Sequence, residues 1–518
     1  MTNAAPFDPV SHVTHKWPSV SPTLLVAILC FALGLDQLLL WRFLGLVPVA
    51  GLAPGILLVT LPPFFLPRHA VYENNRSPSA KIAALCVLVA ALVFLLGGEG
   101  RLVYANTDWQ VRAAVLRDLT LYPWPFVYEV RAAPDLLRAP LGMYLAPALI
   151  GKGLGYHAAE WALLFQNTAL LGLLLVLGCW LFETAHSRRI AVGIFLGFSG
   201  MDVLGQVLSG QALLLSSERW NVAVFTAHLT QAFAVPQHGI AGWIAAMLFL
   251  LWRDRKIALV SFLAPIPLLA LWSPFAVMGI VPFAALAATT LLVQRRLRLR
   301  DILLPGLTLA IAMPGLLYLA SGSGAVGGRG ATIGLSQYLI FELIEIGPYL
   351  AGLAFLGWRG RFGGATLVVT AMVLLLAPFI QIGTSNDFVM RASIPALAIL
   401  ALSVADVLAR PTDPARVVWR YTLVGALLLG LATPAFEIVR AFVYPGSPEM
   451  LCSYFGVVPG GFDTYITPLA RANRLIAPDN PTRIRPRDPA RCWAGKWPNP
   501  LYREFPDRVM PADRDDRL

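Results

Sequence analysis

The sequence predicts an all-α polytopic membrane protein, and three observations carry that expectation. Hydrophobic residues make up 57% of the 518 and charged residues only 13%, against about 25% charged in a soluble domain. The apolar residues are gathered in blocks of about 20, the length a helix needs to cross a hydrocarbon core. Basic residues fall unevenly on either side of those blocks, as the positive-inside rule requires. These features exclude a soluble globular protein. They call for about 13 transmembrane helices and a large first loop on the trans side, the side away from the cytoplasm.

The expected spans are 23–41, 46–67, 82–98, 160–183, 190–208, 236–252, 258–272, 275–294, 302–320, 337–357, 364–382, 392–409 and 421–440. A cytoplasmic N-terminus places Lys16, Arg68, Arg76, Lys81, Arg188, Arg189, Arg253, Arg255, Lys256, Arg295, Arg296, Arg298, Arg300, Arg359, Arg361, Arg410, Arg416 and Arg420 on one side. Those are 18 of the 40 basic residues. The short trans-side loops around 42, 219, 329 and 391 carry one arginine each. The net charge of +11 is therefore topological: membrane lipids are the implied surroundings and nucleic acid is not a partner. Met1–Pro22 lacks a small-residue cleavage pattern behind it, so the first span is expected to be retained. Asp36, inside that span, reads as a polar residue satisfied by protein.

Residues 1–440 are thus expected to form the transmembrane domain, with a trans-side loop at 100–159, and 441–518 a loop-rich extracytoplasmic tail. The tail holds 12 prolines, too many for another set of spans. It also holds Cys452 and Cys492, whereas Cys30, Cys86 and Cys179 lie in spans. In an oxidising compartment the tail pair is either bridged or two free thiols. The string Gly322, Gly324, Gly327 matches GxGxxG but follows an apolar helix, so it reads as a flexible outer loop and not a dinucleotide site. No HExxH, Walker or cysteine-ligand pattern occurs. No cofactor is indicated, and a divalent metal ion, if one is used, would have to be held by loop carboxylates.

Polar residues gathered at one face of a membrane domain are the candidates for chemistry, because lipid contact needs none of them. The first loop holds Asn106-Thr107-Asp108-Trp109-Gln110, then a helical pattern with Val111, Ala114, Val115 and Leu119 on one side and Arg112 and Arg117 off it. Thr107 and Gln110 have capping-box spacing, and a first-turn aspartate is favoured by the helix dipole, so Asp108 has a purely structural explanation. The loop also holds Asp118, Glu129 and Asp135 with Arg131 and Arg138. A carboxylate can take a proton from an acceptor hydroxyl, and guanidinium groups can neutralise a phosphate. The apolar run Leu141–Gly155, with Pro147 and Lys152, is too short to span and is expected to lie in the outer interface.

This layout resembles the GT-C superfamily of integral-membrane glycosyltransferases. It shares their many spans, an acid early in a large first trans-side loop, interfacial helices in that loop and a soluble C-terminal segment. The resemblance runs from Tyr104 to Pro395 and implies a polyprenyl-phosphate-linked sugar donor, with Asp108 as the base or acceptor-orienting acid. The chain departs from the superfamily in having two spans, 23–41 and 46–67, before the one that leads into the loop.

Further trans-side candidates are Asp202; Glu218, Arg219 and Trp220; His238 at the start of the sixth span; and Asn386, Asp387 and Arg391 just before the twelfth. Asp202 reads equally as a helix-end contact, Trp220 as an interface anchor, and Trp272-Ser273-Pro274 as a structural turn. Asn386 or Asp387 would cap the next helix, but Arg391 stands where the charge rule disfavours it, which suits a phosphate-gripping role. The substrate-binding set is therefore Arg391, Asp387, Asn386, His238, Glu218, Arg219, Arg112 and Trp109. The leading expectation is transfer of a sugar to a lipid, glycan or protein acceptor on the trans side, in a membrane such as a bacterial inner membrane. A transporter or lipid-linked saccharide flippase, or a polysaccharide polymerase or ligase, is the alternative. Transporters commonly show repeats and midplane charges, and this chain has no evident repeat.

Overall fold

The computed structural model describes residues 21–67, 78–211, 218, 220–330, 333–358, 360–383, 386–411, 414–495 and 497. Each expected span falls mainly on helix, the one at 364–382 ending in the strand Ile380–Ile382. Starts are set by local chemistry: Ser79 Oγ accepts from the Ile82 amide and Ser273 Oγ from the Ala276 amide, while Pro22, Pro236 and Pro274 open their helices.

The count of 13 is corrected by length. Among the described residues, six helices are long and apolar enough to cross a membrane: Pro22–Phe43, Tyr156–Leu181, Ala185–Leu208, Pro274–Val293, Arg300–Ala320 and Pro414–Val443. A seventh span follows if Leu335–Glu345 and Gly347–Leu356, bent by 55°, count as one. Val49–Phe65, Ala80–Leu96, Leu259–Leu269, Gly363–Phe379 and Ile394–Leu408 are apolar but only 10–17 residues long. At about 1.5 Å per residue they fall short of a 30 Å core. The sequence blocks looked longer because apolar loop residues extend them. Outer helices present Leu57, Leu88, Val281, Leu303 and Leu428 outward. The helix Pro236–Arg253 is instead buried along almost its whole length, packed against Tyr156–Leu181, Pro274–Val293 and Ile394–Leu408. Asp36 is satisfied, its Oδ2 accepting from the Trp272 indole at 2.8 Å.

The first loop forms the helix Asp108–Leu121, two short strands and the helix Gly142–Leu154. The tail is not a separate appendage to it. A four-stranded sheet takes Phe126–Tyr128 and Asp135–Leu137 from the loop, and Ile466–Pro468 and Thr482–Ile484 from the tail. The first loop strand runs parallel to Thr482–Ile484, and the second runs antiparallel to Ile466–Pro468. Asp118, fully buried, accepts from Tyr128 Oη at 2.6 Å and from the Tyr454 amide at 2.8 Å, joining loop helix, strand and tail. Cys452 and Cys492 are bridged, with Cα atoms 4.7 Å apart. The glycine-rich loop is ordered against a neighbour: after Gly327, Gly328–Gly330 pairs antiparallel with Ile380–Ile382.

Candidate active site

The loop helix begins at Asp108, held by its neighbours. The cap bond expected from Thr107 is not made; Asn106 Oδ1 accepts from the Asp108 amide instead, at 3.2 Å. One turn on, Arg112 is buried yet reaches back. Its Nη1 donates to the Asp108 carbonyl at 2.9 Å and lies 3.6 Å from Asp108 Oδ2, while its Nε points to Gln237 Oε1 at 3.4 Å. The Asp108 carboxylate is 53% exposed. The helix is thus anchored while its first acid remains open to a reactant.

Two further charges come from the short helix Asp387–Ala392. Asp387 and Arg391, one turn apart, pair at 3.0 Å and are both largely enclosed. Phe388 rests edge-on against Phe275, ring centroids 5.6 Å apart, fixing that helix to Pro274–Val293. His238 Nδ1 lies 2.9 Å from Ser273 Oγ, and the charges of Arg391 and Arg112 both reach its ring. Two tyrosines complete the set. The Tyr465 phenol, supplied by the tail, feels Arg112, Asp108, Arg391 and Asp387 together; burial is the main cause that raises its pKa above the usual range. Tyr144, from the helix Gly142–Leu154, is raised first by burial and feels Tyr465, Arg112, Asp108 and Glu99. The arrangement brings one accessible carboxylate, two guanidinium groups, an imidazole and two phenols within electrostatic reach of one another.

No family model and no curated protein matches the chain. Comparison with solved structures finds archaeal oligosaccharyltransferase AglB from Archaeoglobus fulgidus, in complex with an inhibitory peptide and a dolichol-phosphate, at 12% identity and a TM-score of 0.28. The match covers 71% of this chain and 56% of that one, so the chain spans little more than half of that enzyme's length. So slight a likeness assigns no role to any residue here.

Of the residues expected from sequence, Asp108, Arg112, His238, Asp387 and Arg391 are brought together. Others are placed differently. Trp109 is buried and its indole donates to the Phe233 carbonyl at 2.7 Å, which fixes the loop helix and leaves no donor for a ligand. Asn386 donates through Nδ2 to the Val222 carbonyl, a loop-to-loop tie. Glu218 belongs elsewhere: it accepts from the Ala227 amide at 2.9 Å and lies near Asp202 and Glu437. Arg219 lies outside the described residues. Trp220 is no interface anchor, since it is buried and donates to Glu345 Oε1 at 2.8 Å. The remaining loop charges have structural partners: Asp135 pairs with Arg131 at 2.6 Å, Glu129 with Arg483 and Arg485, and Arg138 donates to the Ser321 carbonyl. Among the described residues no three His, Cys, Asp or Glu side chains are placed to hold a metal ion.

A second buried group surrounds Asp202, which accepts from Ser199 Oγ and Thr433 Oγ1, each at 2.9 Å. Glu345 is beside it, so close that a Cβ on Gly200 would stand 1.6 Å from Glu345 Oε2. A side chain there would force the Glu345 carboxyl to shift. Glu437 pairs with Arg440 at 2.6 Å nearby.

Sequence reasoning missed Tyr144, Tyr465, Gln237 and Ser273 as neighbours of the site. Gln237 adjoins His238 and could have been taken with it. Nothing in the tail sequence distinguishes Tyr465 from Tyr454 or Phe462.

Proposed function

We propose that the chain is a membrane glycosyltransferase of GT-C-like layout. It takes a sugar from a polyprenyl-phosphate-linked donor and passes it to a lipid, glycan or protein acceptor on the trans side. One observation carries this reading: Asp108 and Arg112 from the first loop and Asp387 and Arg391 from a loop nearly 280 residues later all act on the single phenol of Tyr465. In this reading a base and phosphate-binding cations act on one substrate.

In this reaction the acceptor's nucleophilic atom bonds to the anomeric carbon while the bond from that carbon to the phosphate oxygen breaks. The electron pair leaves with the phosphate, where Arg391 and the buried Arg112 offset the added charge. The acceptor's proton passes to Asp108, whose exposure gives an acceptor access from the aqueous side. His238, between Ser273 and the two arginines, would orient the phosphate. The topology belongs to the same proposal: a cytoplasmic N-terminus, and loop and tail on the trans side. The short apolar helices cross only part of the bilayer, within the bundle. The test is a panel of radiolabelled polyprenyl-phosphate hexoses and pentoses in proteoliposomes. Release of polyprenyl phosphate with transfer of label supports the reading; retention of every donor contradicts it.

Transport is the second reading, and one observation favours it. Two helical segments break at buried acids: at Ser199–Met201 beside Asp202, and at Ile346 beside Glu345. Broken helices around buried charges are common at ion sites in transporters. Movement of labelled lipid-linked sugar across the vesicle without chemical change would favour that reading over transfer.

A further inference from the structure

Glu99 sits between two glycines with left-handed backbone, Gly98 at φ 91° and Gly100 at φ 77°. A Cβ on Gly98 would meet Ala105 Cβ at 2.4 Å, so the tight reversal that turns Glu99 inward requires glycine. The carboxyl is buried. Its Oε1 accepts from Asn167 Nδ2 at 2.9 Å, and the same amide nitrogen lies 3.6 Å from Met143 Sδ, which sets Asn167 beside the start of the helix Gly142–Leu154. Tyr144 follows Met143, and the charges of Tyr465, Arg112, Asp108 and Glu99 all reach its phenol. Glu99 and Arg112 also line one open cleft together with Arg101, Tyr156 and Glu160.

Three oxygens in this group are buried with no hydrogen-bond partner among the described residues: Glu99 Oε2, Asn167 Oδ1 and Tyr144 Oη. Glu99 is 3% exposed, Tyr144 1% and Asn167 0%. A buried polar atom left unpaired is unfavourable and rare. Three in one group leave donors and acceptors that the hydroxyl groups of an occupant would satisfy. Neither the proton transfer nor the phosphate contacts described above use them.

We infer that Glu99, Tyr144 and Asn167 form the subsite for the donor's sugar ring, a polyhydroxylated and uncharged ligand, one end of which opens toward Asp108 and Arg112. The inference rests on the transferase reading. A sugar hydroxyl both donates and accepts: Asn167 Oδ1 accepts from one hydroxyl, Tyr144 Oη donates to another, and the Glu99 carboxyl engages a third. Burial pushes the Glu99 carboxyl well above its usual range, so it meets a neutral hydroxyl as an acid and brings no unpaired charge to the pocket.

The test uses the full chain in lipid nanodiscs and two probes, undecaprenyl phosphate and undecaprenyl-phosphate hexose. Tyr144→Phe deletes one unpaired oxygen and Glu99→Gln replaces another with an amide; neither removes a packed ring or stem. Both variants should bind the sugar-bearing lipid about tenfold or more weakly and the bare lipid phosphate as the wild type does. Tyr144→Phe should melt no lower than wild type without ligand, because the lost hydroxyl has nothing to hold. Unchanged hexose-lipid affinity in both variants, with wild-type binding intact, overturns the subsite and assigns the oxygens to buried water while the transferase reading stands. Failure of the wild type to bind either lipid overturns the transferase reading itself, and the subsite with it.

Discussion

Arg112 holds Asp108 at two points one helical turn away: Nη1 donates to the Asp108 carbonyl at 2.9 Å and stands 3.6 Å from its carboxylate. A buried guanidinium thus fixes the first turn of the loop helix and sets the direction of an exposed acid. The same arginine reaches Gln237 on the central helix, which couples the loop to the membrane bundle.

Replacing Arg112 with lysine keeps the charge but not the fork, since an ammonium cannot serve the carbonyl, the carboxylate and Gln237 from one plane. Turnover by Arg112→Lys should fall by about tenfold or more with little change in melting temperature. Kinetics and thermal unfolding of the same preparation check both halves.

Arg391 pairs with Asp387 at 3.0 Å and is the phosphate-facing cation of the proposed reaction. Arg391→Ala should raise the donor KM and weaken binding of undecaprenyl phosphate, with Arg391→Lys in between. Calorimetric titration with that lipid is the direct measurement, and equal affinity in all three proteins would remove Arg391 from the site.

The Cys452–Cys492 bridge closes a segment with a sequence separation of 40 that contains Tyr465 and the strand Ile466–Pro468. A loop of that length gives about 4 kcal/mol in the chain-entropy account. The double variant Cys452→Ser, Cys492→Ser should loosen the tail, expose it to limited proteolysis and lower activity through displacement of Tyr465. Proteolysis of wild type with and without reductant checks it.

Asp118 carries a pH dependence. Burial raises its pKa to about 7, opposed by the hydrogen bonds from Tyr128 and Tyr454 and by the charge of Arg117. Between about pH 4 and 7 the folded chain holds a proton that the unfolded chain releases, so stability falls as pH rises through that window. Asp118→Asn keeps an acceptor for Tyr128 and the Tyr454 amide but cannot titrate. Its melting temperature should therefore change less between pH 4 and 7 than that of the wild type, as paired thermal scans will show.

The helical membrane character was legible because apolar blocks and arginine asymmetry are properties of local sequence. Span length was less so: Leu259–Leu269 and Ile394–Leu408 read as full crossings because apolar residues continue past the last helical turn. Asp108 and Arg391 stood out as charges beside apolar blocks, and both reach the phenol of Tyr465. The tail's part was hidden, since strands of three residues such as Ile466–Pro468 leave almost no alternation to detect and find their partners more than 300 residues away. Glu218 and Trp220 were misread for a related reason. Their surroundings are set by Asp202 and Glu345, which come from helices distant in sequence.

The central claim is that Asp108 takes the acceptor's proton. Asp108→Asn retains the shape and the first-turn contacts with Asn106 and the Arg112 fork to its carbonyl but removes the base. Single-turnover transfer from a labelled polyprenyl-phosphate sugar to its acceptor, measured beside donor binding, is the decisive experiment. The account predicts loss of transfer by about a hundredfold or more with donor affinity and melting temperature unchanged. Transfer at the wild-type rate by Asp108→Asn would contradict it and leave Asp108 as the first-turn acid of a helix.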